Sequence, residues 1–214
     1  MAVSKVHPAE AILEAHAAGH RLFGENRVQE MQTKAPTLTA ALHAPDSNSV
    51  GCSLSAVGCT FHLIGPLQNN KTTKAAELFH AIDTLDSLKT AERLNAAAQT
   101  LNKTLPILIE VKLSHEDTKH GLAPEALTEL LESLTPLTNI EPRGLMTVPP
   151  WSENPETARP YFQQLRRLRD DHAARFPKLT ELSMGMSNDF RVAIEEGSTT
   201  VRIGTAIFGK RIFP

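Results

Sequence analysis

The feature that most constrains this sequence is an alternation between short strand-like runs and longer helix-like runs along the chain. This pattern is typical of βα units around a parallel sheet. Eight strand candidates occur, at residues 2–4, 21–24, 61–64, 79–83, 105–113, 140–147, 181–184 and 200–204, with seven helix candidates between them. We therefore predict an α/β fold consisting of a single TIM-like (β/α)8 barrel, rather than an open sheet.

Three segments show the two periodicities most clearly. Leucines recur at i, i+3, i+4 and i+7 within 127–134, and apolar side chains recur at steps of three and four within 155–175, so both segments predict helices. In 105–113 the alternate apolar residues should face the surrounding helices, which directs Glu110 and Lys112 into the barrel near its carboxyl end. A buried ion pair between these two residues is the structural alternative to ligand binding.

Residues 36–60 lack periodicity and are rich in Ser, Ala, Gly and Pro. Their number exceeds the ~12 to 15 residues usual for an unstructured loop, so we predict a mobile surface insertion. No linker divides the remaining chain, and we expect residues 1–214 to form a single domain.

Charge and hydropathy limit the partners. Twenty-two basic and twenty-four acidic residues leave a formal charge of −2, which gives no field that would attract nucleic acid. No apolar run approaches the roughly twenty residues that span a bilayer, and the first residues lack a secretory pattern. The spacing of Cys52 and Cys59 suits neither a zinc site nor a disulfide framework. We expect a cytoplasmic monomer.

Barrel closure places the first and last strands side by side, so Lys5 should lie near Arg202 at one mouth. Val3 and Lys5 share a side-chain parity, and so do Thr200 and Arg202, so both long side chains can point inward. Two cations at one mouth would repel each other, which suggests an anionic or electron-rich ligand between them.

A phosphate site is predicted independently, since barrels often bind phosphate with the loops after strands seven and eight. Residues 183–189 supply Met186 and Ser187 at a predicted helix start, where backbone N–H groups favour an anion. Gly204 then allows close backbone approach and Thr205 adds a hydroxyl. Taken alone, residues 183–189 are better explained as a helix N-cap, and their coincidence with Gly204 and Thr205 is what favours a phosphate site.

A lysine crowded by an arginine is suited to Schiff-base formation, because a nearby cation and desolvation both favour the neutral amine. Pyridoxal 5'-phosphate (PLP) meets that requirement. The spacing does not separate it from a sugar phosphate aldehyde, and Lys5 as a solvated strand end is the simpler alternative.

Six motifs occur in order along the chain: AVSK at 2–5, FGENRVQE at 23–30, FHLIGPLQNNK at 61–71, GLMTV at 144–148, SMGMSND at 183–189 and GSTTVRIGTAIFG at 197–209. On these motifs the sequence resembles the pyridoxal phosphate homeostasis protein family, whose members are similar to the barrel half of alanine racemase. The resemblance implies a Schiff base on Lys5, phosphate binding by Met186, Ser187, Gly204 and Thr205, and a pyridine nitrogen facing Arg202. It also places Asn26 and His62 near the ring, and for His62 a structural role is the alternative.

The same resemblance implies two further features. The family carries a lysine in a loop that corresponds to residues 114–121, so Lys119 is a hypothetical second contact. Polar residues around it, at 115–117 and 120, are better explained by a polar loop than by a metal site. Relatives begin with a helix before AVSK that this chain lacks. We therefore expect either a native start upstream of Met1 or an exposed apolar strip on the outer strands.

Three functions remain open. The first is a carrier that buffers PLP or supplies it to PLP-dependent apoenzymes without catalysing a reaction. The second is an amino-acid racemase or related lyase, which needs a second acid/base on the opposite face of the substrate. Tyr161 is the only tyrosine and falls within a predicted outer helix, so it cannot serve, and we favour the carrier. The third is a barrel whose phosphate pocket binds another metabolite.

Overall fold

A computed structural model describes residues 1–42, 58–114 and 120–209. Its eight strands are parallel and lie in sequential order in one sheet, β1 to β8. They are β1 Ala2–Val3, β2 Leu22–Glu25, β3 Thr60–Leu63, β4 Ala81–Leu85, β5 Leu105–Glu110, β6 Ile140–Met146, β7 Glu181–Met186 and β8 Thr200–Arg202. The predicted (β/α)8 barrel is confirmed.

Helices follow the strands, and the first seven pack on the outer face of the sheet. They are α1 Ala9–Ala17, α2 Val28–Leu42, α3 Thr72–Leu78, α4 Leu88–Thr100, α5 Leu127–Leu134, α6 Arg159–Ala173, α7 Phe190–Glu195 and a short α8 Thr205–Phe208. The sequence predicts the first seven of these. It does not predict α8, which has no apolar repeat long enough to be read as a helix.

The sheet closes through the two ends of the chain. Ala2 pairs with Ile203 in a parallel bridge. The Val3 N–H donates to the Ile203 carbonyl at 2.8 Å, and the Ile203 N–H donates to the Met1 carbonyl at 3.0 Å. The first and last strands are therefore neighbours, as barrel closure requires.

All eight predicted strands differ from the structure by one to three residues at one or both ends, and two of these differences have a clear physical cause. β4 begins at Ala81 instead of residue 79, because the Phe79 N–H still donates to Ala75 at the end of α3. β5 ends at Glu110 instead of residue 113. Beyond that point the backbone pairs with Leu122, which donates to the Glu110 carbonyl at 2.8 Å and accepts from the Lys112 N–H at 2.9 Å.

Residues 36–60 are also different from the prediction at both edges. α2 continues through Pro36 to Leu42, and Thr60 begins β3, so neither edge is a loop. Proline removes one hydrogen bond from a helix, but Leu38 is fully buried here and its packing offsets that loss. Residues 43–57, the middle of the predicted insertion, lie outside the described residues.

Apolar side chains fill the space between sheet and helices. Ile107 and Ile109 of β5 are fully buried in this layer with the leucines of α5, as their periodicities predict. In the described part of the chain, no helix has both the length and the apolar character needed to cross a bilayer.

Candidate active site

A cavity of about 580 Å³ opens at the carboxyl ends of the strands. All but one of the residues predicted for the site line it, namely Lys5, Asn26, Met186, Ser187, Arg202, Gly204 and Thr205. The exception is His62. The cavity thus brings together residues from both ends of the chain and from the β7 turn, at the end of the barrel where such folds hold their ligands.

Lys5 lies immediately after β1, on a segment held from both sides. Ser4 before it is fully buried, and its N–H donates to the Gly24 carbonyl of β2 at 3.0 Å. Val6 after it has a φ of 63°, a left-handed conformation that is rare for a β-branched residue. The chain therefore turns sharply at Lys5 while the lysine side chain reaches the cavity.

Arg202 forms the floor of the cavity and is only 5% exposed. Its Nη1 donates to the carbonyl and hydroxyl oxygens of Ser183, and its Nη2 donates to the Thr147 carbonyl at 2.8 Å. Burial lowers the pKa of the guanidinium, while the charges of three carboxylates raise it; these belong to Asp83, Glu110 and Asp189. An arginine stays protonated in a protein, so the floor is cationic and the three carboxylates offset its charge.

The turn after β7 is held by Asp189. One of its carboxylate oxygens accepts a 2.6 Å hydrogen bond from the Met186 N–H, and its own N–H donates to the Met186 carbonyl at 3.1 Å. Gly185 adopts a φ of 93° at the start of this turn. The reciprocal bonds fix the position of Ser187, which lies between the two bonded residues and lines the cavity.

Gly204 follows β8, which pairs with β7, and it lines the same cavity. A Cβ on this glycine would come no closer than 3.5 Å to Val3, an ordinary van der Waals contact. The protein itself therefore does not require a glycine there, whereas a ligand that approaches the backbone closely would. Thr205 follows and also lines the cavity.

The opposite wall is polar and partly open. Glu110, Lys112, Ser114 and His120 line it, and Trp151, which is 75% exposed, stands at its edge. Burial raises the pKa of Glu110, and the Arg202 charge partly opposes this rise. Both Glu110 and Lys112 face the cavity as predicted, and among the described residues they form no ion pair with each other.

His62 lies in β3 and does not line the cavity. Its Nδ1 is 3.0 Å from an oxygen of Asp83, which is fully buried in β4. The contact with Asp83 gives His62 a structural role, which is one of the two roles that the sequence leaves open. Lys119 and the polar residues at 115–117 lie outside the described residues. Within ranges 1–42, 58–114 and 120–209, no group of three or more His, Cys, Asp or Glu could hold a metal.

Sequence reasoning missed several residues of the site. Asp83 and Asp189 supply charge around Arg202, and Trp151 borders the mouth. A signal for Asp83 exists, since an aspartate within the buried apolar run of β4 requires a polar partner. Trp151 has no such signal, because its Pro-rich surroundings indicate only a loop.

Comparison of the sequence with known proteins identifies its family. Residues 1–211 match the family described as alanine racemase, N-terminal domain. The pyridoxal phosphate homeostasis protein of Vibrio alginolyticus is 44% identical over 99% of this chain and 85% of its own length. The chain belongs to the pyridoxal phosphate homeostasis protein family. A member from Aquifex aeolicus is 42% identical over 99% of this chain and 86% of its own.

Solved structures of a family member and of a racemase are both similar in fold to this chain. PipY of Synechococcus elongatus, solved with PLP bound, has a TM-score of 0.84 and 41% identity over 98% of this chain and 91% of its own. PipY solved without PLP has a TM-score of 0.85. Alanine racemase of Clostridium difficile has a TM-score of 0.72 at 15% identity, covering 99% of this chain and 52% of its own, which shows a common fold.

Proposed function

We propose that this protein binds PLP as a Schiff base on Lys5 and serves intracellular PLP homeostasis. The observation that carries the proposal is one cavity that contains Lys5 together with the hydroxyl residues Ser187 and Thr205 and the backbone at Gly204. The homeostasis name of relatives about 40% identical over nearly the whole chain supports it, as does PLP in the PipY structure.

The residues present fit this cofactor. Ser187, Met186, Gly204 and Thr205 would hold the phosphate between the turns after β7 and β8. Arg202, fixed to Ser183 and Thr147, would face the pyridine nitrogen, and Asn26, directly after β2, would contact the ring. The space beside Gly204 that a Cβ would fill is available to a phosphate oxygen. When bound, PLP supplies an aldehyde for amines and a ring that withdraws electrons.

Two features favour a PLP carrier over a racemase. A racemase needs a second acid/base facing the substrate, and the only tyrosine, Tyr161, lies in α6 on the outside of the barrel. An arginine at the pyridine nitrogen would leave that nitrogen unprotonated and weaken electron withdrawal. We infer a non-catalytic cytoplasmic monomer of one domain, residues 1–214, that buffers PLP or supplies it to PLP-dependent apoenzymes.

One observation favours racemase-like activity as a second candidate. Glu110 lines the wall opposite the phosphate turns, and burial raises the pKa of its carboxyl group. A buried carboxyl group whose pKa is raised keeps its proton to a higher pH and can act as a general acid. It is the residue that an enzymatic role would need.

The two candidates are separated by one experiment. Protein freed of PLP is titrated with the cofactor while the absorbance of the bound chromophore is followed, and the loaded protein is then incubated with L-alanine or L-serine. The carrier proposal expects stoichiometric binding and no D-enantiomer above background. Formation of D-amino acid that Glu110→Gln abolishes would establish the second candidate.

A further inference from the structure

A buried cluster of charges lies beside Lys5 but outside the cavity. Lys34 of α2 donates to the carboxylates of Glu25 in β2 and Glu30 in α2, both at 2.7 Å. Glu25 is fully buried and the Lys34 side chain is 7% exposed. Burial raises the pKa of Glu25, and the Lys34 charge opposes that rise. None of these three residues lines the cavity.

The cluster forms hydrogen bonds with the residues on both sides of Lys5. Ahead of the lysine, the Ser4 hydroxyl donates to Glu25 at 2.7 Å and the Ser4 carbonyl accepts from Lys34 at 3.0 Å. After Lys5 in the sequence, the Val6 N–H donates to Glu30 at 2.5 Å. The Lys34 ammonium group bonds the Ser4 carbonyl and both carboxylates, so it connects the contact at Ser4 with the contact at Val6. The peptide units on both sides of Lys5 are therefore held in place.

The Val6 anchor holds a conformation that the residue itself disfavours. A positive φ is strained for a β-branched residue, and such strain persists only where surrounding contacts impose it. The Val6 side chain is 59% exposed, so packing does little to impose it. The His7 N–H closes the turn by donating to the Ser4 carbonyl at 3.1 Å, and the hydrogen bond from the Val6 N–H to Glu30 fixes the direction of the peptide between residues 5 and 6.

Stability alone does not account for three charges in this position. Removing charges from water is costly, and apolar residues of similar volume often replace a buried ion pair without loss of stability. Apolar residues could not bind the Ser4 carbonyl or the Val6 N–H. The distinctive property of the cluster is thus that it fixes backbone direction next to Lys5.

We propose that Glu30 and Lys34 are positioning residues that orient the Lys5 amine toward the phosphate turns. The proposal rests on the proposed function for its purpose, but its geometry concerns only residues 4–6 and the cluster. Loss of the Glu30 anchor lets Val6 relax to a negative φ, which rotates the peptide between residues 5 and 6. The Lys5 side chain then leaves its fixed direction.

The test compares Glu30→Ala with Glu30→Gln, which retains an oxygen for the Val6 N–H. Glu77→Ala, which removes a surface ion pair with Lys74 in α3, is the control. We expect Glu30→Ala to weaken PLP binding about tenfold or more, since small misplacements of reacting groups have large effects. Glu30→Gln and Glu77→Ala should stay near wild type.

A second readout does not involve PLP. Reductive methylation of the PLP-free protein, followed by peptide mass spectrometry, gives the rate at which the Lys5 amine reacts relative to other lysines. Release of the segment should make this rate higher in Glu30→Ala and leave it unchanged in Glu30→Gln. If wild type fails to bind PLP on Lys5, the proposed function fails, while the methylation rates still test the positioning role.

The double variant Glu30→Ala/Val6→Gly separates positioning from stability. Glycine adopts a positive φ without steric cost, so it can recover the turn without recovering the ion cluster. We expect partial restoration of PLP affinity and of the slow Lys5 methylation. The proposal is overturned if Glu30→Ala leaves both readouts at the wild-type values, or if the double variant is no better than Glu30→Ala.

Discussion

Arg202 in β8 donates two hydrogen bonds to Ser183 in β7, from Nη1 to the carbonyl oxygen at 2.7 Å and to the hydroxyl oxygen at 2.8 Å. A third bond joins Nη2 to the Thr147 carbonyl. These contacts fix the plane of the guanidinium at the floor of the cavity. A lysine has three donors, but they sit on one nitrogen and lack the planar fork that directs Nη1 and Nη2 to two different residues.

We therefore expect Arg202→Lys to lower the free energy of unfolding by about 1–3 kcal/mol, because buried oxygens lose their donors. PLP binding should weaken in the same variant. Urea unfolding and a PLP titration measure the two effects. Arg93→Lys, at an exposed arginine that also donates to a backbone carbonyl, is the matched control. An unchanged unfolding midpoint in Arg202→Lys would contradict the geometry described for this residue.

Two glycines of the site should respond to alanine in opposite ways. Gly185 has a φ of 93°, and a Cβ there would lie 2.4 Å from the Cβ of Ala193. Gly185→Ala should therefore destabilise the fold by about 1–3 kcal/mol or more. Gly204→Ala meets only ordinary contacts, and its stability should stay within about 0.5 kcal/mol of wild type.

Ligand binding separates the two variants further. A methyl group at position 204 would occupy the space proposed for the phosphate, so PLP affinity should fall about tenfold or more, equivalent to about 1.4 kcal/mol. Thermal unfolding without PLP and a PLP titration together measure this contrast. Wild-type affinity in Gly204→Ala would remove this residue from the proposed phosphate site.

The stability of the barrel should depend on pH through His80. Its Nδ1 accepts a 3.1 Å hydrogen bond from the Phe61 N–H, which requires a neutral ring. Burial, together with the charges of Lys103 and His62, lowers the pKa of His80. A histidine with a lowered pKa contributes stability that is present above its ordinary value of about 6.5 and is lost as the pH falls through the folded-state value.

The variant His80→Asn keeps an acceptor for Phe61 but does not titrate. The loss of unfolding free energy between about pH 7.5 and about pH 5 should therefore be smaller in His80→Asn than in wild type. Urea unfolding at several pH values measures this difference. Identical pH profiles for the two proteins would show that His80 does not carry the effect.

The sequence is sufficient for the barrel and for much of the site, because both follow from local patterns. The alternating runs predict eight strands, and eight parallel strands close into a barrel. Closure places the first strand beside the last, and so Lys5 near Arg202, without knowledge of any tertiary contact. The contact between Val6 and Glu30 joins residues 24 positions apart and depends on a left-handed turn that no periodicity reveals.

Tertiary packing also explains two further differences. The sequence predicts an insertion that starts at residue 36, but α2 continues through Pro36 to Leu42, where Leu38 is fully buried. For His62 the sequence leaves a ring contact and a structural role open, because its pairing with Asp83 depends on the register between β3 and β4. Local preference gives way wherever tertiary packing supplies more free energy.

The central claim is that barrel closure places the Lys5 amine where it can bind PLP covalently while the turns after β7 and β8 hold the phosphate. The most direct measurement is borohydride reduction of the PLP-loaded protein, followed by peptide mass spectrometry of wild type and Lys5→Ala. We predict that wild type carries the reduced cofactor on the peptide containing Lys5 and that Lys5→Ala carries none. Attachment to a different lysine in wild type, or undiminished attachment in Lys5→Ala, would contradict the account.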